Sequence, residues 1–316
     1  MTRRPLLSMF SAEPAQSALS ALDRESVWLN SAQLTADGLR GRVVLVDFWT
    51  YSCVNWLRTL PYVRAWHERY ADDGLVVVGA HAPEFGFEHD LDNVRRAARD
   101  LGVGHPVVID NDFAVWRSFD NNYWPAVYLL DRDGRTRFRH FGEGAYEETE
   151  RAIQQLLGVD RDREAVVADG LAEAADWDTL RSPETYVGRA RGERRSDHDA
   201  EHLAPDHWAL RGEWSVGREA AVLEAPDGSV AYRFKARDLN LVLTPPASGA
   251  PVRFSVGLDG RPPGEAHGLD VAASGDGTVS EPRMYQLVRQ PGAIRERLFQ
   301  ITFRDPGVRA YVFTFG

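Results

Sequence analysis

Residues Asp47 to Pro61 read DFWTYSCVNWLRTLP, and this stretch, which holds the chain's only cysteine, decides how the rest is read. Just before it, VVLVDFW (Val43–Trp49) is an apolar run with little polar alternation, the pattern of a strand covered on both faces. After it, Val54 to Tyr70 is compatible with a helix. Cys53 therefore falls at a strand-to-helix turn, where backbone N–H groups and the positive end of the helix dipole favour a thiolate. That setting brings a cysteine pKa into roughly the 3.5–7.5 range, so the sulfur is a nucleophile at neutral pH. A small buried hydrophobe is the other reading of a lone cysteine, and periodicity leaves both open.

Outward from that turn, apolar strands alternate with helix-like segments between Arg42 and Leu157, which predicts an open α/β sheet with crossover helices. Gly74–Ala82 and Pro106–Asp110 read as buried strands. The segment from Leu91 to Leu101 reads as a helix with Leu91, Val94, Ala98 and Leu101 on one face, ended by Gly102. FAVWRSF reads as a short helix, Pro125–Asp131 and Arg135–Gly142 as a hairpin turned at Asp133-Gly134, and Tyr146–Leu157 as a closing helix. A charged stretch follows, and after Trp208 the apolar period becomes two: Val230, Tyr232 and Phe234; Val252, Phe254, Val256 and Leu258; Phe299, Ile301 and Phe303; Tyr311, Phe313 and Phe315. Half-buried strands between Gly, Pro and Asp turns predict an all-β sandwich of jelly-roll type. The expected organisation is a flexible lead-in over residues 1–24, an α/β domain over 25–158, a linker over 159–195 and a β-sandwich domain over 196–316.

Composition narrows the function classes. A chain of 316 residues with 43% apolar residues can bury two ordinary cores. The formal charge of −10 and the lack of a Lys/Arg-rich stripe argue against nucleic acid. No apolar run reaches the ~18 residues that span a bilayer. The N-terminal MTRRPLLSMFSAEPAQSA is interrupted by Glu13 and Pro14 before a signal-peptide core forms, so a cytoplasmic location is expected. One cysteine excludes an internal disulfide, so the fold does not depend on an oxidising compartment. No phosphate-cradling glycine loop and no Ser-His-Asp order appears, and no cofactor is called for.

DFWTYSCVNW resembles the active-site segment of thioredoxin-like proteins, in which Asp-Phe-Trp, three residues and then Cys-x-x-Cys open the first long helix. The resemblance implies an α/β thioredoxin fold. It puts Asp47 at the position of a buried carboxylate that assists proton transfer, Pro61 at a helix-kinking proline, and Trp124-Pro125 at a cis-proline loop that docks an extended substrate. Further along, HAPEF, DNVRRA, DND and NNYWPAVYLLD are similar to the redoxin domain of DipZ-type cytochrome c biogenesis proteins and their stand-alone relatives. RSPETYVGRARGER, WALRGEWSVG, AYRFKARDLNLVL and DPGVRAYVFTFG resemble the carbohydrate-binding-module-like sandwich of the same proteins. The family's second, resolving cysteine is replaced by Trp56, so turnover requires an outside thiol or disulfide partner, or peroxide chemistry at one sulfur.

Three readings follow. The first is a monothiol oxidoreductase with Cys53 as nucleophile, Asp47 as proton-transfer aid, Pro125 as substrate dock, Trp49 and Tyr51 as an apolar rim, and Trp56 and Trp124 beside the substrate. The second is a scaffold that has lost catalysis and keeps recognition at Pro125. The third places a glycan or protein partner on the sandwich, on a platform of Trp208, Trp214 or Tyr285, against the simpler reading that these rings are core. His81 and Glu84 are expected at the Cys53 end of the sheet, where Glu84 either tunes the pocket or caps a loop. His198, His202 and His207 have a spacing that fits a solvated acidic loop better than a metal site. Asn121 and Asn122 read as turn formers.

Overall fold

The computed structural model describes residues 18–162 and 164–316, so the lead-in expected over residues 1–24 and the signal-peptide reading fall largely outside the described residues. The chain divides into two compact units. The first comprises residues up to Thr50, Thr59–Glu84 and Arg95–Val166; the second takes Val167–Gly316 together with Tyr51–Arg58 and Phe85–Val94.

The first unit is built on β1 (Trp28–Leu29), β2 (Val43–Trp49), α1 (Val54–Tyr70), β3 (Leu75–His81), α2 (Leu91–Asp100), β4 (Val107–Ile109), α3 (Ala114–Ser118), β5 (Ala126–Leu130), β6 (Thr136–Phe141) and α4 (Tyr146–Leu157), with α1 and α2 starting in the second unit. Its sheet has the order β1-β4-β3-β2-β5-β6. The pairs β2–β3 and β3–β4 are parallel, whereas β5 and β6 run antiparallel, β5 on β2 and β6 on β5. β2 is central and buried along its whole length, because both faces are covered. Val44, Val46 and Phe48 point into one core with Val115, Trp116, Phe119 and Tyr128. Val43 and Leu45 point into the other with Val63, Trp66 and Tyr70 of α1 and Ile153 and Leu157 of α4. By the alternation of a strand, Asp47 shares the second face. Leu19 and Leu22 are buried in the first core.

The second unit holds β7 (Thr185–Tyr186), β8 (Trp208–Arg211), β9 (Trp214–Val216), β10 (Ala221–Leu223), β11 (Gly228–Phe234), β12 (Asp238–Thr244), β13 (Val252–Leu258), β14 (Asp276–Val279), β15 (Arg283–Arg289), β16 (Arg297–Phe303) and β17 (Arg309–Phe315). One sheet runs β15-β12-β17-β10-β9 with β7 also on β17, and the other runs β14-β13-β16-β11-β8. Every pairing between these strands is antiparallel. The inward residues of both sheets, among them Tyr232, Phe234, Phe254, Phe299, Phe303 and Phe313, form one core. The architecture is thus an α/β thioredoxin fold followed by an all-β sandwich. No helix among the described residues is long and apolar enough to cross a membrane.

Candidate active site

Cys53 is the N-cap residue of α1: the helix begins at Val54, and the Cys53 carbonyl accepts the N–H of Leu57 at 3.0 Å. An N-cap side chain lies over the N–H groups of the next two or three residues, which have no intrahelical acceptor. No acidic residue occupies the first turn to oppose a negative charge there. Cys53 is in no disulfide, and the residue is half-buried. Trp56, one turn into the helix, is completely buried. The indole therefore fills the interior, and burying so large a ring is worth several kcal/mol to the helix start.

The segment before the sulfur is held tightly. Ser52 and Glu88 are both buried; the Ser52 hydroxyl donates to Glu88 Oε1 at 2.5 Å, and the Phe85 N–H donates to Glu88 Oε2 at 3.0 Å. The Glu88 N–H returns to the Phe85 carbonyl at 3.0 Å, closing a single turn over Phe85–His89. Tyr51 lies against this turn, its hydroxyl 3.5 Å from the Phe87 carbonyl and its ring 6.0 Å from that of Phe87. The turn in turn sits on aromatic residues of the second unit. Phe85 and Phe87 stack at 5.8 Å, and Tyr311 packs 5.0 and 4.9 Å from them. Arg191 covers the Tyr186 ring at 3.8 Å, and the Gly86 N–H donates to Glu219 at 2.9 Å. From α1 itself, the buried Arg58 donates to the Phe315 carbonyl at 3.3 Å.

In the first unit, Asp47 and Trp49 are fully buried on β2. Trp49 meets His81 edge to face at 4.8 Å. The Trp124–Pro125 peptide bond is cis. Its loop abuts the end of β2, because Ala126 pairs with Phe48. Trp124 donates to the Ala82 carbonyl at 2.9 Å and packs 4.4 Å from Trp116, while the Pro125 carbonyl accepts from Gly142 at 2.8 Å. Trp49 and Tyr51, expected at an apolar rim, are both interior side chains.

Sequence reasoning singled out Glu84, which is half-buried, and passed over Glu88, which reaches the residue next to Cys53. The two carboxylates lie four residues apart in one loop. Only the fold tells which of them turns inward. Two other buried titratable groups also went unnoticed. Asp110 caps α3 through the N–H groups of Val115 and Trp116, and burial pushes its pKa up to about 6 against those hydrogen bonds. His105 is wholly buried 5.9 Å from His67, and burial, with some help from His67, lowers its pKa to about 3. On the sandwich, Trp208 and Tyr285 are buried and Trp214 half-buried, so the first two present no ring face to a ligand. No group of three or more His, Cys, Asp or Glu among the described residues could hold a metal, and the His207 ring lies 2.9 Å from the Pro205 carbonyl. Asn121 is a buried loop residue that accepts from the Tyr128 hydroxyl at 3.2 Å.

Comparison with known proteins gives a consistent set of similarities. Residues 182–316 match the family described as "Thioredoxin like C-terminal domain". Protein DipZ of Mycobacterium bovis is 34% identical over 252 residues, an alignment that covers 74% of this chain and 35% of DipZ. The chain thus spans about a third of that relative's length. Thiol-disulfide oxidoreductase YkuV of Bacillus subtilis is 29% identical over 137 residues, 43% of this chain and 91% of YkuV. Among solved structures, the solution structure of a thioredoxin-like protein in the oxidized form is 27% identical, with a TM-score of 0.42 over 46% of this chain and 98% of that one.

Proposed function

The chain belongs to the thioredoxin-like redoxins and is similar to DipZ, and from that premise we propose that it is a thiol oxidoreductase working through the one sulfur of Cys53. The observation that supports this reading is the placement of a half-buried cysteine at the N-cap of α1, with Trp56 where a second thiol would stand. The Cys53 thiolate attacks one sulfur of a substrate disulfide, forming a mixed disulfide and releasing the other sulfur as a thiolate. A second, external thiol then attacks the mixed disulfide, regenerating Cys53 and carrying away the substrate half as a new disulfide. With a hydroperoxide, Cys53 takes the terminal oxygen to become a sulfenic acid, and an alcohol or water leaves. One thiol condenses with the sulfenic acid to a mixed disulfide with loss of water, and a second thiol reduces it. In this scheme Asp47 relays protons and the loop at Trp124-Pro125, with Glu84, receives thiols or disulfides of proteins or small molecules.

Mass spectrometry after mild peroxide or disulfide treatment tests the scheme. A mass increase on Cys53 that added thiol reverses, absent from a Cys53→Ser protein, is the expected result; a native thiol inert to both oxidants overturns it. The loss of the resolving cysteine also favours a second reading, a binding scaffold on the same fold. Partner binding would then survive Cys53→Ser unchanged.

A further inference from the structure

We infer that the loop from Val187 to Arg195, together with the turn between β9 and β10 that it lies against, is a docking surface for an extended acidic segment of a partner protein. The loop reads VGRARGERR. Arg189, Arg191, Arg194 and Arg195 are all exposed, and so is Arg218 on the adjoining turn. Among the described residues, Arg189, Arg194, Arg195 and Arg218 form no salt bridge, and no hydrogen bond engages their guanidinium groups. The carboxylates of the same stretch are Glu193 and Glu219, and one oxygen of Glu219 already accepts the Gly86 N–H at 2.9 Å. Of the flanking carboxylates, Glu184 accepts from the Tyr186 hydroxyl and Asp199 pairs with Arg211. On a chain whose formal charge is −10, the arginines of this loop and turn form a local excess of the opposite sign.

The backbone that carries them is fixed. The Val187 N–H donates to the Tyr311 carbonyl at 2.8 Å, and the Arg189 and Ala190 N–H groups donate to the Gly217 and Arg218 carbonyls at 2.9 Å each. The Gly192 N–H closes on the Gly188 carbonyl at 2.7 Å, and Trp208 donates its N–H to the Arg194 carbonyl at 3.2 Å and its indole N–H to that of Glu193 at 2.7 Å. Only glycine permits so close an approach: a Cβ at Gly188 would lie 2.2 Å from the carbonyl carbon of Glu219, and one at Gly192 2.6 Å from the Gly188 oxygen. A surface ordered in advance loses less freedom when a partner binds. Two of the side chains are also held in place, Arg191 over the Tyr186 ring at 3.8 Å and Arg195 over the Trp208 ring at 6.0 Å. Tyr186 belongs to one sheet of the sandwich and Trp208 to the other. Guanidinium groups kept over separate rings suit carboxylates set along a chain better than one small, multiply charged anion, and each planar fork can take a carboxylate through two hydrogen bonds.

The test measures binding of a fluorescein-labelled hexaglutamate peptide to the full chain by fluorescence anisotropy. Neither partner needs a thiol, so the result is independent of Cys53. The expected result is binding that weakens steeply between about 0.1 M and about 1 M salt, over which the screening length falls from about 10 Å to about 3 Å. Arg189→Gln, Arg194→Gln and Arg195→Gln combined are expected to weaken binding by about tenfold or more, and Arg218→Gln alone by about threefold. Arg261→Gln with Arg295→Gln, at two exposed arginines elsewhere on the sandwich, leaves it unchanged. Absence of hexaglutamate binding, or binding that the triple variant leaves intact, overturns the proposal. Tighter binding of an oligonucleotide or of a hexagalacturonate at the same arginines overturns it too, by assigning the surface to a different polyanion. If the triple variant does not fold, as its urea unfolding curve would show, Arg218→Gln decides alone, since it keeps the backbone carbonyl that Ala190 uses: an unchanged affinity sinks the idea.

Discussion

Asp238 in the sandwich and His105 in the first unit are both inaccessible to water, yet their surroundings could hardly differ more. Arg289 donates to Asp238 Oδ1 at 2.7 Å and to Oδ2 at 3.4 Å, while Arg237 donates to Oδ2 at 2.7 and 3.1 Å. The same two guanidinium groups hold Glu173, at 2.6 and 3.1 Å, and the carbonyls of Gly170 and Ala174. Burial works against the charge on Arg237, but its bonds to Asp238 outweigh that and its pKa rises. At His105, neither ring nitrogen meets a hydrogen-bonding protein group among the described residues, and the ring stays neutral instead. Asp238 thus keeps its buried charge by pairing, and His105 avoids one by keeping the proton off. Pairing makes a site sensitive to losing a partner; neutrality makes it sensitive to acid.

The sharpest way to break this contrast is to remove a partner. Arg289→Met keeps most of the aliphatic bulk and removes four hydrogen bonds, leaving Asp238 with Arg237 alone and Glu173 with one contact fewer. Stripping one member from a buried ion pair costs about 3–5 kcal/mol. We expect a loss of that order in urea unfolding monitored on the sandwich, and a loss under about 1 kcal/mol, as for a surface pair, would show that the network is solvated after all.

Acid sharpens the other side. The pKa of His105 is lowered in the folded state, so the unfolded chain binds the extra proton more readily, and stability falls as pH drops below the ordinary value of 6.5 toward about 3. His67, whose ring lies 5.9 Å away and whose pKa burial also lowers, adds to the same limb. Each pH unit inside that window costs about 1.4 kcal/mol per fully suppressed proton. Asp110 titrates in the opposite sense, since its folded pKa is raised to about 6; between its ordinary 3.8 and that value it favours the folded state as acid is added. The expected outcome is that His105 contributes a loss of roughly 2–3 kcal/mol between pH 6.5 and about pH 4.5, which Asp110 partly offsets and His105→Leu removes. An acid limb unchanged by His105→Leu would assign it to other groups.

The sequence made some of this visible and hid the rest for physical reasons. β2, α1 and the paired strands of the sandwich are legible because burial on one or two faces writes a run or a period of two into the residues. β12 is not, since all seven of its residues are buried, Asp238, Asn240 and Thr244 included, and polar residues inside a covered strand blur any pattern. The two residues of β1 are too few to carry a signal and are strand only because β4 offers them an edge. At the site, Cys53, the cis bond at Trp124-Pro125 and the buried Asp47 lie in recognisable strings. Glu88 does not, because its role depends on a tertiary contact to Ser52 across 36 positions of sequence. The inclusion of Tyr51–Arg58 and Phe85–Val94 in the second unit likewise has no local signature.

The smallest effect belongs to a pair that looks as good as any on paper. Arg253 and Asp305 form a two-pronged bond on the sandwich, Nη2 to Oδ1 at 2.7 Å and Nε to Oδ2 at 2.9 Å, and the hydrogen bond from Arg253 holds the Asp305 pKa down to about 2. A depressed carboxylate contributes stability above its ordinary 3.8 and loses it as pH falls through that value toward 2, so the sign resembles that of His105 but the window lies lower. The Arg253 side chain is 70% exposed, and water and salt screen both partners. Asp305→Asn should therefore leave the urea midpoint at neutral pH almost unmoved, and raising the salt concentration should erase what difference there is. The Asp305 carboxylate also accepts the Arg253 backbone N–H at 3.0 Å, which the Asn side chain can still do. A midpoint shift as large as that of Arg289→Met would mean that geometry, rather than burial, sets the worth of an ion pair in this sandwich, and the contrast with Asp238 would fall.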